Sequence, residues 1–202
     1  MEDKVKIFVK KIDERAVIPT YAHKGDVGMD LTAIDVEYDV EKDMYIYHTG
    51  LAFESDFNIG DFLFLRSSNR KTDAYLCNHV GIVDSAIYRG EVMICMKNRD
   101  SLDTLSTLEG VKEYMSTFSV SSKIEPPIPL EWCVIRADRA YDKKKDEYIQ
   151  RAKNLEFAPY KVGDKIAQMV CLRYPTVELI ETTELSETER GEGGFGSTDK
   201  KQ

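Results

Sequence analysis

The 202-residue sequence has no run of about 18 apolar residues, the length a helix needs to cross a bilayer. Its opening, MEDKVKIFVKK, also lacks the long apolar core of a secretory leader, so the expected location is the cytoplasm, away from membranes. Histidine is scarce, at 3 residues, and no CxxC pair occurs. The four cysteines, Cys77, Cys95, Cys133 and Cys171, are widely spaced, mostly beside apolar residues, which suits reduced packing thiols better than disulfides or a zinc site. Positive charge is outnumbered. The 28 Lys and Arg face 36 Asp and Glu, a formal charge of -8 that opposes general attraction to nucleic acid. A single small polyanion is compatible with that balance, because a few local Arg, Lys, backbone amide and metal contacts can hold it.

What the sequence does have is a succession of short strand-type segments split by turn signals. VKIFVKKI, MDLTAIDVEYDV, MYIYHTGLAFES, FLFLRSS, VGIVD and EVMICMK fill the first hundred residues. KIAQMVCLRY and VELIE follow the turn Val162-Gly163-Asp164. Such spacing predicts an all-β barrel or sandwich. Between 99 and 160 the pattern changes to an inserted lobe of small, mixed or helical character. Leu102, Leu105, Leu108 and Val111 have weak helical spacing, SKIEPPIPL breaks regular structure, and Ile149, Ala152 and Leu155 predict a helix over Asp146–Leu155. Trp132 and Val134 are candidates to pack on it, and Lys143 to Lys145 read as a solvated face. The expected organisation is a β domain of residues 1–98 and 161–181, the lobe 99–160, and an arm 182–202.

The end of that arm, ETERGEGGFGSTDKKQ, is too rich in glycine for a stable strand or helix. By itself it reads as a tail. It nevertheless combines Phe195, an aromatic that can stack on a base, with Arg190, Ser197, Thr198 and glycine backbones able to wrap phosphate oxygens.

Five segments then occur in a fixed order. They are Gly28-Met29-Asp30-Leu31, Arg66-Ser67-Ser68, Gly81-Ile82-Val83-Asp84 through Tyr88-Arg89-Gly90-Glu91, Gly163-Asp164-Lys165-Ile166-Ala167-Gln168, and Arg190 through Thr198 with Phe195 and Gly196. In this order they resemble the five motifs of the trimeric dUTPase family, over all of the chain but the inserted lobe. The resemblance implies a jelly-roll type β-barrel and hydrolysis of dUTP to dUMP and pyrophosphate. It also implies Mg²⁺ as cofactor and a homotrimer whose sites take motifs from neighbouring chains.

By resemblance, Asp84 is the catalytic base that deprotonates the water attacking the α-phosphate; a lone Asp before Ser would otherwise read as a turn acceptor. Tyr88 lies under the deoxyribose, while the hairpin backbone at Gly81 and Val83, with Asn78 nearby, reads the uracil edge. Arg66, Ser67 and Ser68 meet the phosphates, as does Gln168, whose amide between Ile166 and Val170 requires a partner. Arg190, Phe195, Gly196, Ser197 and Thr198 close over the nucleotide. Asp30 helps hold the metal through water, Mg²⁺ keeping most of its own hydration. The chain departs from the family in one place. Four residue steps separate Asp84 from Tyr88 instead of three, so a bulge or wider turn is expected. Two alternatives stay open: a dCTP deaminase-like enzyme of the same fold, and a dUTP-binding regulatory protein engaging a protein partner through the lobe.

Overall fold

A computed structural model describes residues 4–98 and 145–192. The expectations for Leu102 to Val111, SKIEPPIPL, Trp132, Cys133, Val134, Lys143, Lys144, Phe195, Gly196, Ser197 and Thr198 lie outside the described residues.

The fold is mostly β, and among the described residues ten strands form three antiparallel sheets. β1 (Ile7–Lys11) pairs with β5 (Leu51–Ser55). A second sheet has the order β2 (Met29–Thr32), β10 (Lys165–Arg173), β6 (Ile59–Phe64), β8 (Gly81–Val83). The third has the order β3 (Asp35–Asp39), β4 (Met44–His48), β9 (Met93–Asn98), β7 (Ala74–Leu76). No closed barrel forms among the described residues, so the expected barrel corresponds to these three sheets around one core.

Alternation builds that core. In β4, Tyr45 and Tyr47 are buried while their neighbours are only partly so, as a strand with one inward face requires. They join Leu31, Leu51, Phe53, Leu63, Ile94, Met96, Ile166 and Met169 in one cluster drawn from all three sheets. Full burial of each large aliphatic side chain contributes about 1.5–3 kcal/mol. Tyr47 also donates its hydroxyl to the Tyr160 carbonyl at 3.1 Å and accepts the Tyr160 amide at 3.0 Å, so its polar tip is satisfied inside.

Two segments read as single strands are each two, in different sheets. Within 29–40 the break falls at Ala33–Ile34, where Ala33 bonds to Gly163 and Asp164 while the Ile34 amide turns to the His48 carbonyl. Within 44–55 it falls at Thr49–Gly50, where Gly50 has φ +66° and a Cβ would lie 2.6 Å from Ile34 Cδ1. β7 is a further strand that the sequence pattern did not indicate. VELIE is not a strand. Residues 177–181 have no ladder partner among the described residues, and Val177, Leu179 and Ile180 stand exposed.

Helix α1 covers 145–153, close to the expected span. Its Ala152 is fully buried, Tyr148 stacks on Phe157 at 5.2 Å, and Asn98 Nδ2 donates to the Phe157 carbonyl at 2.8 Å. The chain therefore returns from 145 to 160 by packing against the main core, with Leu155, Phe157 and Ala158 touching it. No helix among the described residues is long and apolar enough to cross a membrane. Cys77, Cys95 and Cys171 are free thiols, and burial pushes the pKa of each upward.

Candidate active site

The central sheet carries two groups of polar residues, one beyond each end of β6. The first forms because β10 lies between β2 and β6. Gln168 faces Asp30 on one side and Phe64 on the other, and β6 then runs out through Leu65 to Arg66, the residue before a short 3-10 helix over Ser67–Lys71. Arg66 reaches back to clamp Asp30 with two nitrogens, Nε to Oδ1 at 2.6 Å and Nη2 to Oδ2 at 3.3 Å. Its Nη1 donates to Ser68 Oγ and to the Lys165 carbonyl, each at 3.2 Å. Lys165 Nζ lies 2.9 Å from Asp30 Oδ2. Burial alone pushes the Asp30 carboxyl up, but the hydrogen bonds from Lys165 and Arg66 outweigh it and hold the pKa below the usual carboxylate value. Gln168 finds the partner its half-buried amide requires, donating Nε2 to the Leu65 carbonyl at 3.2 Å. Gly28 packs close beside it, since a Cβ there would lie 2.9 Å from Gln168 Oε1 and displace the amide.

The second group stands where β8 ends. Asp84 follows Val83, which faces Asp61. Its backbone carbonyl accepts the amides of Ile87 at 2.9 Å and Tyr88 at 2.7 Å. This one-turn loop absorbs the extra residue between Asp84 and Tyr88 and leaves Ile87 exposed. The exposed Asp84 carboxylate has no hydrogen bond or ion pair among the described residues. The turn's hydrogen bonds are thus accepted by the Asp84 backbone carbonyl and not by its carboxylate. Tyr88 folds its ring over Gly90, where any Cβ would collide with it, and donates its hydroxyl to the Glu91 carbonyl at 3.1 Å. Arg89 ties the loop together through the carbonyls of Ser85, Ala86 and Tyr88 and a 3.3 Å ion pair with Glu54. Buried Ser85 and Ser55 bond through their hydroxyls at 2.6 Å.

The structure therefore brings together Asp30, Arg66, Ser68, Lys165 and Gln168, with exposed Ser67 alongside, and separately Asp84, Tyr88 and Arg89. It does not bring the two groups together within one chain. An extended chain rises about 3.3 Å per residue, so the length of β6 puts about 20 Å between Asp84 and Arg66. Asn78 lies at the entry to β8 and Asp84 at its exit, with Gly81 and Val83 between them on a strand whose outer edge has no ladder partner among the described residues. Gly81 also permits the close pairing with β6, as a Cβ would sit 3.0 Å from the Leu63 side chain. Arg190 lies on the exposed segment after β10.

Sequence reasoning assigned no role to Lys165 and Arg89, although both stand inside quoted motifs. The pairing of Lys165 with Asp30 depends on the register irregularity between Lys165 and Ala167, which no local pattern reveals. The described residues contain no group of three or more His, Cys, Asp or Glu placed to hold a metal ion. Asp30 already accepts three bonds from two cations, leaving about one of its four lone-pair positions. With a guanidinium and an ammonium already beside it, the remaining position fits a hydrogen bond from one water of a hydrated magnesium ion better than direct contact with the ion.

An antiparallel β protein with a divided, carboxylate-and-guanidinium polar site defines the class. A family model for dUTPase matches residues 153–199. A deoxyuridine 5'-triphosphate nucleotidohydrolase of Desulfitobacterium hafniense is 31% identical over 96% of this chain and 95% of its own length. That of Nautilia profundicola is 28% identical over 97% of this chain and all of its own. Among solved structures, a dUTPase variant of Staphylococcus bacteriophage 80alpha with dUpNHpp shares the fold at TM-score 0.59 and 21% identity, covering 96% of this chain and 98% of that one. A phage phi11 dUTPase variant, described for its coordination of a structural Mg(II) ion, aligns at TM-score 0.51 and 18% identity over 89% of this chain and 97% of its own. This chain belongs to the dUTPase family.

Proposed function

We infer that the chain hydrolyses dUTP to dUMP and pyrophosphate, with each site assembled from neighbouring copies in a homotrimer. The observation that carries the reading is the division of the site. Asp84 is an exposed, unpartnered carboxylate on a fixed strand end, whereas the phosphate-type group around Asp30 and Arg66 lies about 20 Å away along β6. A second copy can bring the two together. The apolar run at Val177, Leu179, Ile180 and Leu185, exposed among the described residues, favours association for the same reason.

In that assembly Asp84 takes a proton from water as the water oxygen bonds to the α-phosphorus. The bond to the bridging oxygen breaks, and pyrophosphate leaves with the electron pair. The free edge of β8 at Gly81 and Val83 offers backbone donors and acceptors to the uracil edge, and Asn78 stands at the same strand's entry. A narrow backbone slot disfavours cytosine by mismatch and thymine by its methyl group. Tyr88 underlies the deoxyribose. Ser67 and Ser68 donate to phosphate oxygens, and Gln168 is positioned beside them by Leu65. Because Arg66 is committed to Asp30, Ser68 and Lys165, its first task is to build this cradle, with Lys165 adding positive charge.

Magnesium, when bound, neutralises charge on the triphosphate, and Asp30 reaches its hydration shell. Arg190, Phe195, Gly196, Ser197 and Thr198 close over the nucleotide, and the lobe is an added segment outside the chemistry. The test is pyrophosphate release from dUTP, dCTP, dTTP and UTP with and without Mg²⁺. Strong preference for dUTP with Mg²⁺ is expected; ammonia release from dCTP would mean a deaminase, and binding without turnover a regulatory protein.

A further inference from the structure

The loop bearing Asp84 and Tyr88 is fastened at its far end by a histidine that no motif contains. His48 ends β4, and its Nδ1 lies 3.0 Å from Glu91 Oε2. Its Nε2 lies 3.7 Å from Glu37 Oε1 on β3. The other oxygen of Glu91 accepts the Gly50 amide at 2.7 Å. Directly beside this pair, Thr49 Oγ1 donates to the Val92 carbonyl at 2.6 Å and the Val92 amide donates to the Leu51 carbonyl at 2.8 Å. The β4–β5 turn thus grips Glu91 and Val92, where the Asp84–Gly90 segment returns to the core. The Tyr88 hydroxyl rests on the carbonyl of that same Glu91.

We propose that His48 is a positioning residue for the hairpin that carries Asp84 and Tyr88, its imidazolium acting through Glu91 as a pH-dependent clamp on the nucleoside pocket. The inference rests on the reading of that hairpin as the nucleoside site. The ring can donate Nδ1–H to Glu91 in either form, but only the imidazolium makes that bond charge-assisted and is also attracted to the Glu37 carboxylate, 3.7 Å from Nε2. The groups facing the ring favour that charged form. They are Glu91 from the segment before β9 and Glu37 and Asp35 from β3; β9 offers only Met93 opposite His48. Arg15, near the Asp35 side of this group, pairs with Asp13 at 2.8 Å and lies 3.7 Å from Asp35. The hydrogen bond that the ring donates to Glu91, set against partial desolvation, raises the His48 pKa above its ordinary value. The sign follows. The clamp is strongest below the ordinary histidine pKa and weakens as pH rises through the higher folded value, after which the neutral ring offers Glu91 an uncharged N–H in place of the charge-assisted bond.

The test uses the full-length protein, its His48→Gln variant and its Glu91→Gln variant. His48→Gln keeps a neutral donor, and Glu91→Gln keeps an acceptor for Gly50 while removing the charge. KM and kcat for dUTP are measured from pH 5.5 to 9, and hydrogen exchange of amides 84–92 is compared with the parent at each pH. In the parent, KM should rise about three- to tenfold through the NMR titration of His48, with kcat changing less. Both variants should show the high-pH KM throughout, and their faster exchange should converge with the parent above the titration. A residue that merely fills space would move neither profile with pH. A parent KM that is flat through the His48 titration, or hairpin exchange that ignores it, overturns the proposal. If dUTP is not turned over at any pH while exchange still follows His48, the clamp stands and the assigned activity fails.

Discussion

Asp84 suits the proposed role of base because no described residue bonds to its carboxylate. Its backbone accepts the turn bonds that a local reading would give to the side chain, so the acid is held at a strand end without being consumed by it. Asp84→Asn keeps the size and most of the acceptance and cannot take a proton. Nucleotide binding should change little, while turnover should fall about 10²- to 10⁴-fold. Steady-state kinetics with a fluorescent dUTP analogue as binding control check this, and a loss below about threefold would return Asp84 to a turn role. Asp61, three residues before Phe64, presents the opposite situation. It is fully buried, neither carboxylate oxygen has a hydrogen-bond partner of good geometry, and the Cys171 thiol against it is pushed far up by burial and then by that carboxylate. Unpaired buried polar atoms are costly. Asp61→Val, which suits a strand interior, should raise unfolding stability by about 1–3 kcal/mol in urea denaturation. A loss of stability would mean that the carboxylate finds its partner in the assembled oligomer.

At the scale of elements, strands with one inward face were legible because alternation is local: β4 buries Tyr45 and Tyr47 as its pattern requires, and β10 follows KIAQMVCLR. The points where the chain changes sheets were not. Ala33–Ile34 and Thr49–Gly50 are decided by backbone bonds to residues far away in sequence, and nothing at those positions announces them except Gly50. VELIE has strand-type residues, yet a strand also needs an edge to join, and one chain supplies none among the described residues. The motif residues were found by their order, whereas the partners that hold them, Lys165, Arg89 and the His48–Glu91 pair, come from register and turns. The helix at 145–153 belongs to the core side of the lobe, since Ala152 is buried and Tyr148 stacks on Phe157. Replacing 100–144 with a short Gly/Ser linker, and keeping this helix, should leave kcat for dUTP within about threefold of the parent, because long connections cost little and all five motifs lie elsewhere. A folded, trimeric but inactive product would show that the lobe shapes the site.

At the scale of the whole molecule, the distance along β6 makes a strong claim about assembly. If Asp84 and the Arg66 group serve one nucleotide, they must come from different copies arranged head to tail around a ring. Two crippled chains can then repair each other. Asp84→Asn removes the proposed base, and Ser67→Ala removes an exposed hydroxyl proposed to meet the phosphates, a donor loss of the kind that costs about 10²-fold. Each homotrimer should be nearly inactive. In a ring of both kinds, one of the three sites pairs an intact Ser67 from one chain with an intact Asp84 from the next. Refolding an equal mixture so that chains assort at random should therefore restore about a quarter of all sites. The measurement is pyrophosphate release after co-refolding, against the same two proteins mixed without unfolding. Recovery near that fraction, in a species whose light-scattering mass is three times the chain's 23.1 kDa, is the expected result. If the co-refolded mixture is no more active than the sum of its parents, each site is built within one chain, and the separation along β6 must be closed by movement of the hairpin.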